Sequence, residues 1–193
     1  MAAPANITLK NLDGQWVMNR DLSENYDPVL KLQGVNWLMR KVLGMATVTV
    51  VIKEWEEGGY THIDVENRPN GGLPPTTEQR VFNNEGVDIA HALFGKVRSQ
   101  TRWASKAELD EVDGFLADGL ETGETEEGAA KPSYVHIATE HLEHGVTTHQ
   151  VWGFAQFNEQ RYQTRHILVI KGEETAKVTL VYDYLGPRAA DES

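Results

Sequence analysis

One stretch near the N-terminus, residues 12–52, constrains the fold more than any other part of the 193-residue chain. It contains a strand pattern, two short helical patterns and a second strand pattern in close succession. Pro28 falls in the first turn of the first helix, where its missing N–H costs nothing, and Gly34 suits the position that ends this helix. β-Branched residues then dominate 47–52. The pattern predicts two short helices, over about 24–44, placed between two strands.

The sequence within this stretch, SENYDPVLKLQGVNWLMRK, resembles the intracellular fatty-acid-binding and retinoid-binding proteins of the calycin superfamily. Weaker matches to that family lie at 76–78, 95–99 and 179–182. The resemblance implies an all-β fold, a closed up-and-down antiparallel β-barrel of about ten strands with a two-helix lid between the first two strands. Strand candidates counted from Trp16 onward also number about ten. We therefore predict a single calycin-like β-barrel domain over 1–193.

Composition excludes several classes of function. The chain has no cysteine, so it has no disulfides, thiolate metal ligands or cysteine nucleophiles. With 29 acidic against 18 basic residues its net charge is −11, which would repel the phosphates of a nucleic acid. No run of residues has the length and apolar character of a signal peptide or a membrane span. We predict a cytoplasmic protein with no nucleic-acid partner and at most transient contact with a membrane surface.

Residues 106–133 interrupt the strand pattern and form an insertion that the resembled family lacks. Nine acidic residues against two lysines give this segment a charge of −7. Its first half has the apolar spacing of a short amphipathic helix, and 121–130 are predicted to be disordered. A solvated loop is the first interpretation of the insertion. A role in binding a partner or in gating is the alternative.

The resemblance also implies which residues hold a ligand. Family members that bind fatty acids or retinoic acid use two internal arginines and a tyrosine, but Leu180 and Val151 stand here where the arginines are expected. Arg20, Arg161 and Arg165 are the substitutes, and we expect each at the surface because arginine is rarely buried without a partner. A small apolar, lipid-like ligand is therefore predicted. The predicted ligand-binding residues are Trp16, Met18, Arg20, Leu38, Val151, Tyr162, Leu180, Tyr182 and Tyr184.

Strand pairing predicts a polar cluster in the C-terminal part of the chain. A tight two-residue turn at the His–Gly pair places Glu140 opposite His149. The same alternation puts His166 and Tyr162 on that side of the sheet, and the family's orientation of the last strand adds Tyr182. A carboxylate beside an imidazole gives a general base near neutral pH, so Glu140, His149 and His166 are the candidate catalytic residues. The other interpretation is an ordinary cross-strand pair facing solvent, because a slip of one residue exchanges the two faces.

Two functional classes remain open. The first is a carrier that binds a small apolar, lipid-like molecule in the barrel cavity. The alternative is a cofactor-independent enzyme, an acid–base isomerase, cyclase or dehydratase that uses the internal Glu–His pair on an apolar metabolite. No metal or other cofactor is predicted, since the seven histidines show no recognised ligand spacing. A scaffold that binds a basic protein through the acidic loop is a third interpretation, and the oligomeric state is left open.

Overall fold

The computed structural model describes residues 1–121 and 133–188. Within these residues ten strands form one antiparallel sheet. The strands are β1 (Gly14–Met18), β2 (Val48–Glu57), β3 (Tyr60–Pro69), β4 (Thr76–Val81), β5 (Val87–His91), β6 (Gly95–Ala104), β7 (Tyr134–His141), β8 (Val146–Phe157), β9 (Gln160–Lys171) and β10 (Glu174–Gly186). Their spatial order is β4-β3-β2-β1-β10-β9-β8-β7-β6-β5, so the first and last strands of the chain pair with each other inside the sheet, and β4 and β5 are its edges.

Two short helices lie between β1 and β2, as predicted for 24–44. They are α1 (Asp27–Leu32) and α2 (Trp37–Met45). Asn36 begins α2, where its side chain accepts a hydrogen bond from the backbone N–H of Met39. α1 packs against β9 and β10 with Val29 buried, whereas α2 buries none of its residues.

The sheet curls so that side chains at the edge strand β4 meet those of β6, the strand next to the other edge. The Arg80 guanidinium on β4 donates to the hydroxyls of Ser99 and Thr101 on β6, over 3.1 and 3.4 Å. The ring of Phe82 packs against that of Trp103, with 4.9 Å between centroids. No backbone ladder joins β4 to β5 in the described residues. The all-β, ten-stranded fold is therefore confirmed, whereas closure of the barrel is not.

The side of the sheet on which Arg80 reaches β6 is concave, and it holds the larger of two hydrophobic cores. Residues on this face alternate along each strand with residues on the convex face. The helix α1 closes one end of the concave core with Val29. Buried members of this core include Trp16, Val50, Ile52, Ile63, Val135, Trp152, Phe154, Val169, Val178 and Leu180.

A second hydrophobic core lies on the convex face, beneath the insertion. The insertion forms α3 (Lys106–Val112) and a 3-10 turn (Gly114–Ala117), and Ser105 and Glu108 make a capping box at the start of α3. The buried residues of this core are Ala104, Leu109, Leu116, Ala117, Leu120, Tyr134, Val151, Ala155 and Leu168. The short helix predicted here is present, but 106–121 are packed on the sheet rather than solvated, because their leucines cover its apolar convex side. The segment predicted to be disordered lies, apart from Glu121, outside the described residues.

Candidate functional site

Arg165 on β9 is the most unusual side chain of the concave face. It pairs across the sheet with Trp152 on β8 and Leu180 on β10. Its guanidinium carbon lies 4.1 Å from the centroid of the Trp152 ring and 4.4 Å from that of Tyr182, so two aromatic rings flank the cation. Only 6% of the residue is exposed. The expectation that Arg165 lies at the surface is therefore wrong.

The hydrogen-bonding capacity of Arg165 is not used by its described neighbours. Its Nε and Nη2 atoms are buried and have no partner among them. Burial lowers the pKa of the guanidinium from its usual value, while Tyr182 acts in the opposite sense. A buried donor without a partner costs about 1–3 kcal/mol. Two such donors on one side chain call for an explanation, and an acceptor on a bound ligand supplies one.

Three further polar side chains of the concave face carry unpartnered buried atoms within the described ranges. Gln163, two residues before Arg165 on β9, is fully buried, and neither atom of its amide has a partner. The Nε atom of Arg80 and the Nδ1 atom of His141 are in the same condition. The unpartnered polar atoms of the concave face therefore lie on three strands, β4, β7 and β9.

A second charged group acts on Arg165 from a distant strand. Arg80 on β4 forms an ion pair with Glu78. The charges of both residues shift the pKa of Arg165, Glu78 raising it and Arg80 lowering it. Because four strands separate β4 from β9 in the sheet, this interaction requires the curl of the sheet. The concave face thus combines aromatic walls, a buried cation and an ion pair.

A cleft of about 560 Å³ opens beside the helices. It is lined by Met18, which pairs with Tyr182 on the concave face. Tyr26 and Arg20 also line it and donate hydrogen bonds to backbone carbonyls near the end of α2, over 2.6 Å from Tyr26 and 2.9 Å from Arg20 to Gly44. The volume lies within the range of small-molecule sites. The remaining lining residues are Ser23, Glu24, Asn25, Asp27, Arg40, Lys41 and Met45.

The predicted pairing of Glu140 with His149 is wrong. The loop between β7 and β8 has four residues rather than two, so Glu140 lies opposite Thr147, and His149 lies opposite Ala138. His149 instead meets His136, with 3.1 Å between Nδ1 of His149 and Nε2 of His136. Burial lowers the pKa of His136 to about 4, and burial also lowers that of His149. Both imidazoles are therefore neutral at pH 7, and the charge of Glu108, which raises the pKa of His136, does not offset the effect of burial.

The other members of the predicted polar cluster lie on opposite faces of the sheet. His166 pairs with Thr179 on β10, which places Tyr182 on the other side. His166 and Tyr162 occupy the convex face, where the Nδ1 atom of His166 donates to the carbonyl oxygen of Phe115 over 2.8 Å. A single internal cluster is therefore excluded by the register of β9 and β10.

The predicted ligand-binding residues divide in the same way. Trp16, Met18, Leu180, Tyr182 and Tyr184 lie on the concave side, and Trp16 is fully buried with its ring centroid 4.8 Å from that of Tyr184. Val151 and Tyr162 lie on the convex face, and Leu38 is 65% exposed on α2. Arg161 is partly buried and bonds to Glu121, so it is not free at the surface.

The face of the sheet on which Gln163 and Arg165 lie could in part have been predicted from the sequence. The two-residue turn between β8 and β9 was predicted correctly, and its residues Asn158 and Glu159 have positive φ angles of 50° and 62°. That register sets Gln163 and Arg165 on the same face as Trp152. The aromatic side chains of β8 could have identified this face as the interior.

Two kinds of site are absent from residues 1–121 and 133–188. No three histidine, aspartate or glutamate side chains there stand close enough together to hold a metal ion. None of the helices there has both the length and the apolar character to cross a bilayer.

Comparison with known proteins gives relatives that match the chain along its whole length. It is 44% identical over 194 residues to a probable pericyclase of Mollisia scopiformis, covering 100% of this chain and 99% of the relative. It is 41% identical over 191 residues to a pericyclase of an Acremonium species, covering 98% and 100%. No protein-family model matches.

Solved structures identify the fold. A fatty-acid-binding protein of Schistosoma mansoni, in complex with arachidonic acid, superposes with a TM-score of 0.54 at 18% identity, covering 90% of this chain and 95% of that one. The predicted resemblance to the fatty-acid-binding proteins is confirmed at the level of fold.

Proposed function

We propose that this chain, which belongs to the family of the Acremonium pericyclase and the probable pericyclase of Mollisia scopiformis, is an enzyme that catalyses a pericyclic cyclisation or rearrangement of a small, largely apolar substrate. The substrate binds against the concave face, beside Arg165. The observation that carries the site assignment is the buried guanidinium of Arg165, held between two rings with two donors unused by the described residues.

A pericyclic reaction redistributes electrons around a ring of atoms in one step, so it needs neither a nucleophile nor a general base. An enzyme accelerates it by holding the reactive conformation and by polarising a group conjugated to the reacting bonds. The rings of Trp152, Tyr182 and Phe154 offer apolar walls that favour a folded substrate chain. Arg165 offers hydrogen bonds to a substrate carbonyl, and in a water-poor site such bonds are stronger than in water.

The stacking of Arg165 suits this role. With Trp152 and Tyr182 over the guanidinium, only its edge remains for hydrogen bonding, so the donors point in a fixed direction. A fixed donor needs no reorganisation when charge develops on the substrate oxygen. Each 1.4 kcal/mol of preferential stabilisation of the transition state raises the rate about tenfold.

The cleft beside α2 is the entrance in this proposal. It is open to solvent, and Met18 and Tyr26 connect it to the concave surface around Tyr182. Arg20 holds the end of α2 by donating to backbone carbonyls there, so this helix borders the entrance. Trp16, Leu180 and Tyr184 stay in the proposal as concave contacts of the substrate.

The enzyme that the sequence suggested only as the alternative now comes first, and the carrier second. Sequence identity of 44% and 41%, over nearly the whole chain, to a probable pericyclase and a pericyclase favours the enzyme, whereas the likeness to fatty-acid-binding proteins supports the fold alone. The Glu–His pair has no part in the proposal, because Glu140 and His149 are not opposite each other. The isomerase or cyclase chemistry is retained without acid–base catalysis.

The test uses the compound on which the Acremonium relative acts, incubated with purified protein and followed by chromatography and mass spectrometry. We expect conversion by the wild type, and a rate at least about 100-fold lower for Arg165→Met, because an aligned donor contributes about 3 kcal/mol to the transition state. Arg98→Met is the control, since Arg98 is exposed and pairs with Asp88. Binding of the compound without conversion by the wild type would instead support a carrier.

A further inference from the structure

We propose that the insertion positions Arg165 from behind, and that His166, anchored on Phe115, is a positioning residue for the reaction. This inference rests on the proposed function, in which Arg165 is the donor to the substrate. It assigns a task to residues 113–121, a segment that the resembled fold lacks, and to a histidine that never touches the substrate.

His166, which contacts Phe115 of the insertion, is the neighbour of Arg165 on β9. Arg165 and His166 are consecutive on β9, so their side chains leave the backbone on opposite faces of the sheet. On the convex side the Nδ1 atom of His166 donates to the carbonyl oxygen of Phe115 over 2.8 Å. The two rings also stack, with centroids 4.8 Å apart and planes 18° apart. His166 is 5% exposed, so this hydrogen bond is shielded from water.

The insertion in turn fixes Phe115. Its backbone N–H donates to Asp113 over 2.9 Å, and Lys177 on β10 lies 5.4 Å from the centre of its ring. Lys177 and Asp113 are also ion-paired at 2.8 Å. Phe115 therefore contacts β9 through His166 and β10 through Lys177, so the insertion is tied to both strands at this point.

A second contact holds β8 in the same way. Gly153 follows Trp152 and faces Leu120 of the insertion so closely that a Cβ atom on Gly153 would lie 2.8 Å from the Leu120 side chain. The backbone N–H of Glu121 donates to the carbonyl oxygen of Phe154 over 2.7 Å. The insertion thus backs both strands whose concave residues, Trp152 and Arg165, form the stacked pair.

Backing of this kind matters because Arg165 has no hydrogen bond of its own among the described residues. Stacking sets the plane of the guanidinium but resists sliding along the rings only weakly. The position of its donors therefore follows the backbone of β9, which is paired with β8 and β10 and which the bond from His166 to Phe115 ties to the insertion. A displacement of about 1 Å at a catalytic group can cost about 100-fold in rate.

The first test needs no substrate. In the full-length, isotope-labelled protein the Nε–Hε signal of Arg165 is identified by nuclear magnetic resonance from its loss in Arg165→Lys. We expect His166→Val to move this signal away from its ring-shifted position and to speed its hydrogen exchange at least about tenfold. His136→Val is the matched control, because His136 is also a 5% exposed histidine of the convex face and bonds to His149 instead. It should leave the signal in place.

The second test is kinetic and separates positioning from mere stability. His166→Val should lower kcat about tenfold with little change in KM, and His166→Asn, whose amide can donate to Phe115, should restore most of kcat. Phe115→Leu removes the stacked ring but keeps the backbone carbonyl that accepts from His166, so it should act in the same direction as His166→Val with a smaller effect.

An unmoved Arg165 signal in both His166→Val and Phe115→Leu would overturn the inference, as would equal movement in His136→Val. These results are independent of the proposed function. If the wild type converts no substrate while the Arg165 signal still depends on His166, the proposed function fails and the mechanical coupling stands.

Discussion

Replacing Arg165 by methionine should make the protein more stable while removing its activity. Methionine has a similar length and an apolar, flexible side chain that can fill the space between Trp152 and Tyr182. The substitution removes a buried cation whose Nε and Nη2 atoms have no partner in the described structure. A group kept for a substrate, rather than for the fold, is expected to cost stability in the empty protein.

The magnitude follows from the contacts. Two cation–π contacts are lost, at about 1 kcal/mol each. Two unsatisfied buried donors disappear, at about 2 kcal/mol each. The net gain in the free energy of unfolding is about 2 kcal/mol, within the range found when buried charges are replaced by apolar groups. For a chain of this length that corresponds to a rise of about 4–8 °C in Tm.

Thermal and urea unfolding followed by circular dichroism at pH 7 would measure this gain. The control is Arg80→Met, which loses the ion pair to Glu78 and the hydrogen bonds to Ser99 and Thr101 and should be destabilised by about 1–3 kcal/mol. If Arg165→Met lowers stability as Arg80→Met does, Arg165 is a structural residue and the reasoning is refuted.

Three further predictions concern other parts of the fold. Burial lowers the pKa of His136 to about 4 from 6.5, so between these pH values the unfolded chain binds a proton that the folded chain does not. The free energy of unfolding should therefore fall by up to about 3 kcal/mol as the pH drops from about 6.5 to 4. Urea titrations across this range should show the slope, and a slope unchanged in His136→Gln would contradict the prediction. Gly153→Ala should destabilise the protein by about 1–3 kcal/mol through its clash with Leu120, measured as a lower urea midpoint, and adding Leu120→Ala should recover part of the loss unless the clash is not the cause. Ser105→Ala should cost about 1 kcal/mol by breaking the capping box of α3, whereas a change within about 0.3 kcal/mol would show that the box contributes nothing.

The elements of the fold could be predicted because their signals are local. The helix pair over 24–44 follows from a proline, a glycine and apolar spacing, and ten strands follow from turn residues between β-branched runs. The turn between β8 and β9 gave the correct register, since a two-residue loop fixes it. The loop between β7 and β8 did not, because the His–Gly pair is only part of a four-residue loop that starts after His141.

The orientation of β8 and β9 could not be predicted from alternation. Residues 151–155 and 162–166 are all buried, because the concave face carries the main core while the insertion covers the convex face. In a strand that is buried on both faces, polar and apolar residues do not alternate, so the sequence does not show which face is concave. The insertion that hid this signal was itself expected to be a solvated loop.

Arg165 was named as a substitute for the family's arginines, but it was wrongly expected at the surface, for a different reason. Arginine is seldom buried without a partner in proteins, and Arg165, at the candidate site, is an exception to this rule. The arginines that bind the ligand carboxylate in the resembled family did not help to predict the site. Leu180 stands at the position of one of them, and Arg165 lies opposite Leu180 on the neighbouring strand.

The solvent isotope effect on substrate conversion tests the central claim most directly. A pericyclic step moves no proton to or from an acid or base, so the wild-type rate at saturating substrate should be nearly equal in H₂O and in D₂O, and both rates should collapse together in Arg165→Met. A rate that is about 2-fold or more lower in D₂O, with Arg165→Met retaining wild-type conversion, would show that proton transfer limits the reaction and that the catalytic group lies elsewhere.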